Sequence, residues 1–254
     1  MAPKSMQSLR NCNEQHNHYR NTTSQDIKTG SAGRRSRLGK TALLALLLIF
    51  TAPALVKNQA FAETTKNLPS SQAENPLYRE SLALIEARDY QSAINSLTSF
   101  LNKNPSSDEA FFLRGKAYHE LGKIAEASSD YKKAIELNPS SYKAYNNEGL
   151  IYGQLKKFEL ATKSFTKAIA NNPQPKEAYN NRGVARAASG DPSGAIDDFT
   201  KSIALDNKYL EPVLNRSFVF EMQGKLNKAC QDWQTAGRMG SVDAQIWHKA
   251  QCKA

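Results

Sequence analysis

The chain has 254 residues, of which 40% are hydrophobic, so it is long and apolar enough to form a folded core, and a wholly disordered chain is excluded. Its net charge is +10, but residues 1–62 hold nine Lys or Arg against two acidic residues, whereas residues 63–254 hold 25 against 22. A nucleic-acid interface needs its basic residues on the folded surface, so this distribution argues against nucleic-acid binding.

The N-terminal region has the order of a secretory leader. A cationic cluster in residues 34–40 precedes an apolar run in residues 41–56, and Ala60 and Ala62 then form a small-x-small cleavage site. These three parts in this order predict that residues 1–62 are a basic leader and signal peptide, cleaved after Ala62. The protein is then exported, to a periplasm or a thylakoid lumen. The alternative is an uncleaved anchor, with membrane contact through the apolar run alone, although that run is shorter than the roughly 20 residues that span a bilayer.

A repeat with a period of 34 residues begins after a short linker in residues 63–73. The hexapeptides AYNNEG and AYNNRG, which lie 34 residues apart, show the period directly. Five consecutive frames without insertion or deletion form units 1 to 5: residues 74–107, 108–141, 142–175, 176–209 and 210–243. A fixed period of this length predicts stacked supersecondary units. A sixth frame begins at once and stops at residue 254, so residues 244–254 are predicted to be a capping helix.

Each frame carries two helical patterns. Frame positions 4, 8 and 11 share one face of a first helix, and positions 20, 24 and 27 share one face of a second. Position 8 is glycine in units 2 to 4 and position 24 is aromatic, so the helices are predicted to approach closely where the glycine faces the ring. Glycine at position 15 indicates the turn between the helices, and proline at position 32 indicates the end of the second helix.

These residues and this period resemble the tetratricopeptide repeat family, whose 34-residue helix-turn-helix signature they match. The resemblance implies an all-α fold, a right-handed superhelical solenoid of about five helix-turn-helix repeats plus a C-terminal capping helix. It also implies a binding scaffold, because the stacked first helices of such proteins line a concave groove that holds a peptide or a partner protein. We therefore expect an exported scaffold that functions in complex assembly.

The resemblance assigns the binding surface to a few positions of each first helix. The groove residues that it implies are Phe112, Lys116, His119, Lys143, Asn146, Leu150, Asn180, Val184, Leu214 and Phe218. Phe112 and Phe218 are either groove anchors or core residues, and both alternatives stay open. Asn147 and Asn181 are expected to bind backbone carbonyls of the adjoining unit.

Two of the three cysteines, Cys230 and Cys252, follow the predicted cleavage site. If the second helix of unit 5 and the capping helix form a hairpin about Gly240 and Ser241, these two cysteines face each other. In an oxidising compartment they are therefore predicted to form a disulfide; the alternative is two packed thiols.

No pattern after residue 63 resembles an active site, a nucleotide loop or a set of metal ligands. We therefore predict no enzyme activity, no cofactor and no metal. The best pair for a small hydrolytic enzyme is His119 with Glu120, and adjacency alone does not make a catalytic pair. The competing hypotheses are thus an exported scaffold, the same scaffold tethered to a membrane, and a small enzyme.

Overall fold

The structure is a computed structural model that describes residues 75–252, and the predicted leader, the cleavage site after Ala62 and the linker lie outside this range. Within it the chain forms eleven helices and no strand. The helices are α1 Pro76–Glu86, α2 Tyr90–Lys103, α3 Asp108–Glu120, α4 Ile124–Leu137, α5 Tyr142–Gln154, α6 Phe158–Asn171, α7 Lys176–Ala188, α8 Pro192–Leu205, α9 Leu210–Met222, α10 Leu226–Arg238 and α11 Val242–Gln251. None of these helices is long and apolar enough to cross a membrane.

Each of the five sequence frames contains two of these helices, which pack against each other and then against the first helix of the next unit. The first helices also contact one another directly, in the pairs α3 with α5, α5 with α7 and α7 with α9. Second helices make no contact of this extent within the described residues. Because the first helices approach more closely, they lie on the inner, concave side of the stack. The predicted all-α solenoid is confirmed.

The close approach of the two helices within a unit depends on glycine at frame position 8. A Cβ atom added to Gly149 would lie 2.7 Å from the ring of Phe165, and one added to Gly183 would lie 2.7 Å from the ring of Phe199. Real Cβ atoms do not approach so closely, so the aromatic ring occupies the space that a larger residue would need. The predicted glycine-to-aromatic packing is confirmed.

The turn between the two helices uses a left-handed residue at frame position 15 in every unit. Gly122, Gly190 and Gly224 have φ values of 73°, 89° and 71°, as the glycine pattern predicts. Units 1 and 3 place Arg88 and Lys156 at the same position, with φ values of 59° and 58°. The fold therefore imposes the left-handed conformation even where the sequence gives no glycine signal.

A row of polar pairs, not predicted from the repeat pattern, joins frame positions 7 and 23 along the stack. In units 2, 4 and 5 an arginine of the first helix binds an aspartate of the second through two hydrogen bonds: Arg114 with Asp130, Arg182 with Asp198 and Arg216 with Asp232. The same arginines donate to a threonine of the preceding unit: Thr98, Thr166 and Thr200. Units 1 and 3 replace the pair by Glu80 with Ser96 and Glu148 with Ser164. These side chains tie helix to helix and unit to unit.

Helix α11 closes the C-terminal end of the stack. It begins at Val242, two residues before the predicted start, because the Ser241 side chain caps it by accepting from the Ala244 amide at 3.2 Å. The structure joins Cys230 to Cys252, whose Cα atoms lie 5.7 Å apart. This separation is within the usual range for a disulfide. The bridge in the exported protein stays a prediction, because it also requires an oxidising compartment.

Candidate functional site

The inner surface of the first helices, which we name the groove, is lined by frame positions 2, 5, 6, 9, 12 and 13. Of the ten predicted groove residues, seven are partly exposed: Lys116, His119, Lys143, Asn146, Leu150, Leu214 and Phe218. The other three, Phe112, Asn180 and Val184, are buried. At these three positions the side chain is covered by the protein itself, although the repeat pattern predicts that it is exposed in the groove.

Phe112 and Phe218 occupy equivalent faces of their helices but have different roles. Phe112 is 7% exposed and its ring lies 6.0 Å from the ring of Tyr131, so of the two alternatives it is a core residue and not a groove anchor. The Phe218 ring is partly exposed and meets the ring of Trp247 edge-on at 5.1 Å. Phe218 thus combines an exposed edge in the groove with a contact to α11.

An asparagine chain links units 3, 4 and 5 along the groove. The Asn181 amide donates to the Asn146 side chain at 3.2 Å, and the Asn215 amide donates to the Asn180 side chain at 2.9 Å. Asn180 is 3% exposed, so its prediction as a partner-facing residue is wrong. Neighbouring first helices lie so close that position 6 of one unit reaches position 5 of the unit before it. For Asn181 the partner is therefore a side chain, where the sequence analysis expected a backbone carbonyl.

Val184 is fully buried because it lies between the first helices of its two neighbours. It belongs to an apolar cluster against which Leu150 and Met222 pack from either side, and both of these side chains stay partly exposed. Val184 is therefore the covered floor of an apolar strip, and its prediction as a contact residue is wrong. Leu150 and Met222 are its partly exposed edges, and Leu214 and Phe218 are further partly exposed apolar side chains of the groove.

Charged groups occupy the end of the groove in units 2 and 3. Lys143 Nζ lies 3.8 Å from Glu109 Oε1, and this oxygen is buried without a hydrogen bond to any other described residue. Burial raises the pKa of Glu109, while Lys143 lowers it. Burial is also the main reason that the pKa of Lys116 lies below its usual value; Glu120 raises it, Lys143 lowers it and Glu109 raises it.

His119 is bound to the next unit. The Gln154 amide lies 2.9 Å from Nε2 of His119, and the His119 ring stands edge-on to Tyr131 at 6.4 Å. The structure shows no bond between His119 and Glu120, the pair that the enzyme hypothesis requires. No group of three or more potential metal ligands occurs in residues 75–252.

The predicted residues omit Glu109 and Glu221, although both occupy first-helix positions that face the groove. Glu221 is partly exposed, and burial raises its pKa while a hydrogen bond with Gln251 lowers it. Frame positions 2 and 12 could have identified these two carboxylates. Their burial depends on neighbouring units, so it could not be read from one frame.

Two family models match the centre of the chain. A model described as TPR repeat matches residues 115–156, and a model described as tetratricopeptide repeat matches residues 142–175. The second match coincides with unit 3 as the sequence analysis defines it. No curated protein matches the chain significantly.

Several solved structures have a similar fold. A crystal structure of MamA is 22% identical with a TM-score of 0.60, over 65% of this chain and 96% of that one. MamA from residue 41 to its end, from Desulfovibrio magneticus RS-1, is 18% identical with a TM-score of 0.61, over 64% of this chain and 92% of that one. YrrB, described as a TPR protein with an unusual peptide-binding site, is 17% identical with a TM-score of 0.60, over 76% of this chain and 98% of that one.

At these identities the likeness shows the fold alone, and the family models add the repeat type. Residues 115–175 carry tetratricopeptide repeats, within a solenoid that has the fold of YrrB and MamA.

Proposed function

We propose that this chain is an exported scaffold that binds an extended segment of a partner protein along its groove. The fold supports a scaffold role, since tetratricopeptide repeats mediate protein interactions and YrrB is described as having a peptide-binding site. Export and a role in complex assembly rest on the order of the leader residues. A membrane-tethered form of the same scaffold is the alternative location.

One observation carries the proposal: partly exposed apolar side chains lie beside hydrogen-bonding amides on the inner surface. Leu150, Leu214, Phe218 and Met222 provide the apolar part. The Asn146 oxygen accepts from Asn181, which leaves the Asn146 amide hydrogens for another acceptor. An extended peptide presents apolar side chains together with backbone carbonyls, so it suits both parts of this surface.

The groove can be blocked without removing an existing contact. Ala188 occupies frame position 13 of unit 4, at the end of α7, and is partly exposed. Ala188→Arg adds a long side chain to the groove. Ala170→Arg is the matched control, because Ala170 is exposed near the end of α6, a second helix on the outer side.

The test selects peptides from a random 12-residue display library on the purified protein and then measures the Kd of the enriched peptides. We expect Ala188→Arg to weaken binding by roughly tenfold or more, through loss of one well-buried contact region. Ala170→Arg should bind as the wild type does. Equal affinity for wild type and both variants would place the binding site elsewhere and overturn the proposal.

A further inference from the structure

Lys116 differs from its charged neighbours Glu109 and Lys143, which pair with each other, because it has no close ionic partner. Within residues 75–252 no acidic oxygen lies within 4 Å of its ammonium group, and no hydrogen bond from it is found. Glu109, two turns earlier on the same helix, already pairs with Lys143 at 3.8 Å. The Lys116 residue is nevertheless only partly exposed, and its burial lowers the pKa of the ammonium group, so this group has lost part of its hydration without gaining a counter-ion.

Glu120 does not compensate for this loss. It is four residues after Lys116 on α3, and a lysine that precedes a glutamate at this spacing has the weaker of the two orientations. Glu120 is also exposed, so water screens its charge. The second ammonium group, that of Lys143, lies close enough to act on Lys116 unfavourably.

The residues next to Lys116 indicate which chemical group of a ligand would pair with its ammonium group. Along the groove the next first helix, α5, presents the Asn146 amide and the apolar side chain of Leu150, both partly exposed. An incoming carboxylate would pair with Lys116 and offset the repulsion between the two lysines. An incoming cation would add to that repulsion, and an apolar residue would bury the ammonium group further without a partner.

We infer that Lys116 binds a carboxylate side chain of the bound segment, so that the partner carries Asp or Glu at units 2 and 3 and apolar residues towards units 4 and 5. This inference rests on the proposed groove function and adds the chemistry of the partner to it. Lys143 contributes to the same anion through its charge, while its direct partner remains Glu109.

The test uses the same display library on three forms of the full protein: wild type, Lys116→Gln and Lys163→Gln. Lys163 is an exposed lysine of α6 outside the groove and is the matched control. Enriched peptides are then synthesised with acetylated and amidated ends, so that the acidic side chains are their only carboxylates. Each is compared with a version in which Glu is replaced by Gln or Asp by Asn.

We expect the wild type and Lys163→Gln to select peptides with an acid at a constant distance from an apolar residue. Neutralising that acid should weaken binding to both proteins about threefold to tenfold, as for a partly desolvated ion pair. The same change should have little effect on binding to Lys116→Gln. Added salt should reduce the difference between the acidic and the neutral peptide.

Two results would overturn the inference, and they differ in what they say about the groove. Peptides that respond to Ala188→Arg but have no acid preference, or keep it with Lys116→Gln, would exclude the role of Lys116 and leave groove binding intact. Failure to enrich any peptide sensitive to Ala188→Arg would overturn both proposals together.

Discussion

The guanidinium group of Arg182 holds the carboxylate of Asp198 at two points, with Nε 2.9 Å from Oδ2 and Nη2 2.7 Å from Oδ1. The Asp198 side chain is 1% exposed, and it also accepts from Arg186 at 2.9 Å. Two buried oxygens of one carboxylate thus receive three donors. Substituting one partner of such a pair leaves a buried charge without its counter-ion. The resulting loss of folding stability exceeds the stability that the intact pair contributes.

We expect Arg182→Glu to destabilise the protein by about 3 to 5 kcal/mol, because it places a second carboxylate beside the buried Asp198. Unit 3 has a different pair at the same positions, where the Ser164 hydroxyl donates to Glu148 at 2.7 Å. The double change Arg182→Glu with Asp198→Ser should therefore recover at least half of the lost stability. Urea unfolding midpoints measure this, and additive losses in the double variant would contradict the equivalence of the two pairs.

Gly183→Ala should destabilise the protein by about 1 to 3 kcal/mol through overpacking, although alanine favours helix more than glycine does. The reason is the Phe199 ring, which would lie 2.7 Å from the added Cβ. Unit 1 has serine at position 8 and leucine, Leu97, at position 24. Adding Phe199→Leu to Gly183→Ala should therefore restore part of the stability in thermal unfolding. If Phe199→Leu costs the same in both backgrounds, the clash is not the cause.

Removal of the disulfide should affect the C-terminal end of the solenoid and little else. Replacing both Cys230 and Cys252 by serine should lower stability by about 3 kcal/mol, the loop-entropy effect expected for a sequence separation of 22. Each unit of a solenoid contacts only its neighbours, so hydrogen exchange should accelerate in α11 and stay unchanged in α3 to α7. Mass spectrometry of the exported protein without reductant provides the control, and two free thiols would contradict the bridge.

Glu221→Gln should stabilise the protein at pH 7 and have no effect in acid. Burial raises the folded pKa of Glu221, so this group favours folding below its unfolded pKa of about 4.3, and that contribution is lost as pH rises through the folded pKa. Glutamine removes the charge that burial disfavours at neutral pH. Unfolding midpoints between pH 4 and pH 8 measure the difference, with the exposed Glu211→Gln on the same helix as control. A gain independent of pH would refute this explanation.

Export predicts a defined mature chain. Mass spectrometry should find a protein that begins at Glu63, and carbonate extraction should release it from membranes, because the apolar run of residues 41–56 would be absent. A chain that keeps residues 41–56 and stays in the membrane pellet would favour the tethered form. Neither result bears on the groove, so location and binding are tested independently.

The sequence predicted the features that depend on one unit alone. Period, helix pairs and the fit of Gly149 against Phe165 follow from residue spacing, because the contacts involved lie within 34 residues. Neighbouring units bury Asn180 and Val184, which were predicted to contact a partner, whereas Phe112 packs on Tyr131 of its own unit. Each side chain has the right helix face, but its exposure depends on contacts beyond that face.

The sequence by itself thus determined the repeat, the all-α solenoid and the face of each first helix that turns inward, since these depend on periodicity. Only the tertiary structure decided which inward residues remain open. Neighbouring units bury Asn180 and Val184 and bring Lys143 to 3.8 Å from Glu109. Lys116 is left without a close ionic partner. These outcomes depend on distances between residues of neighbouring units, and a pattern read within one frame contains no such distances.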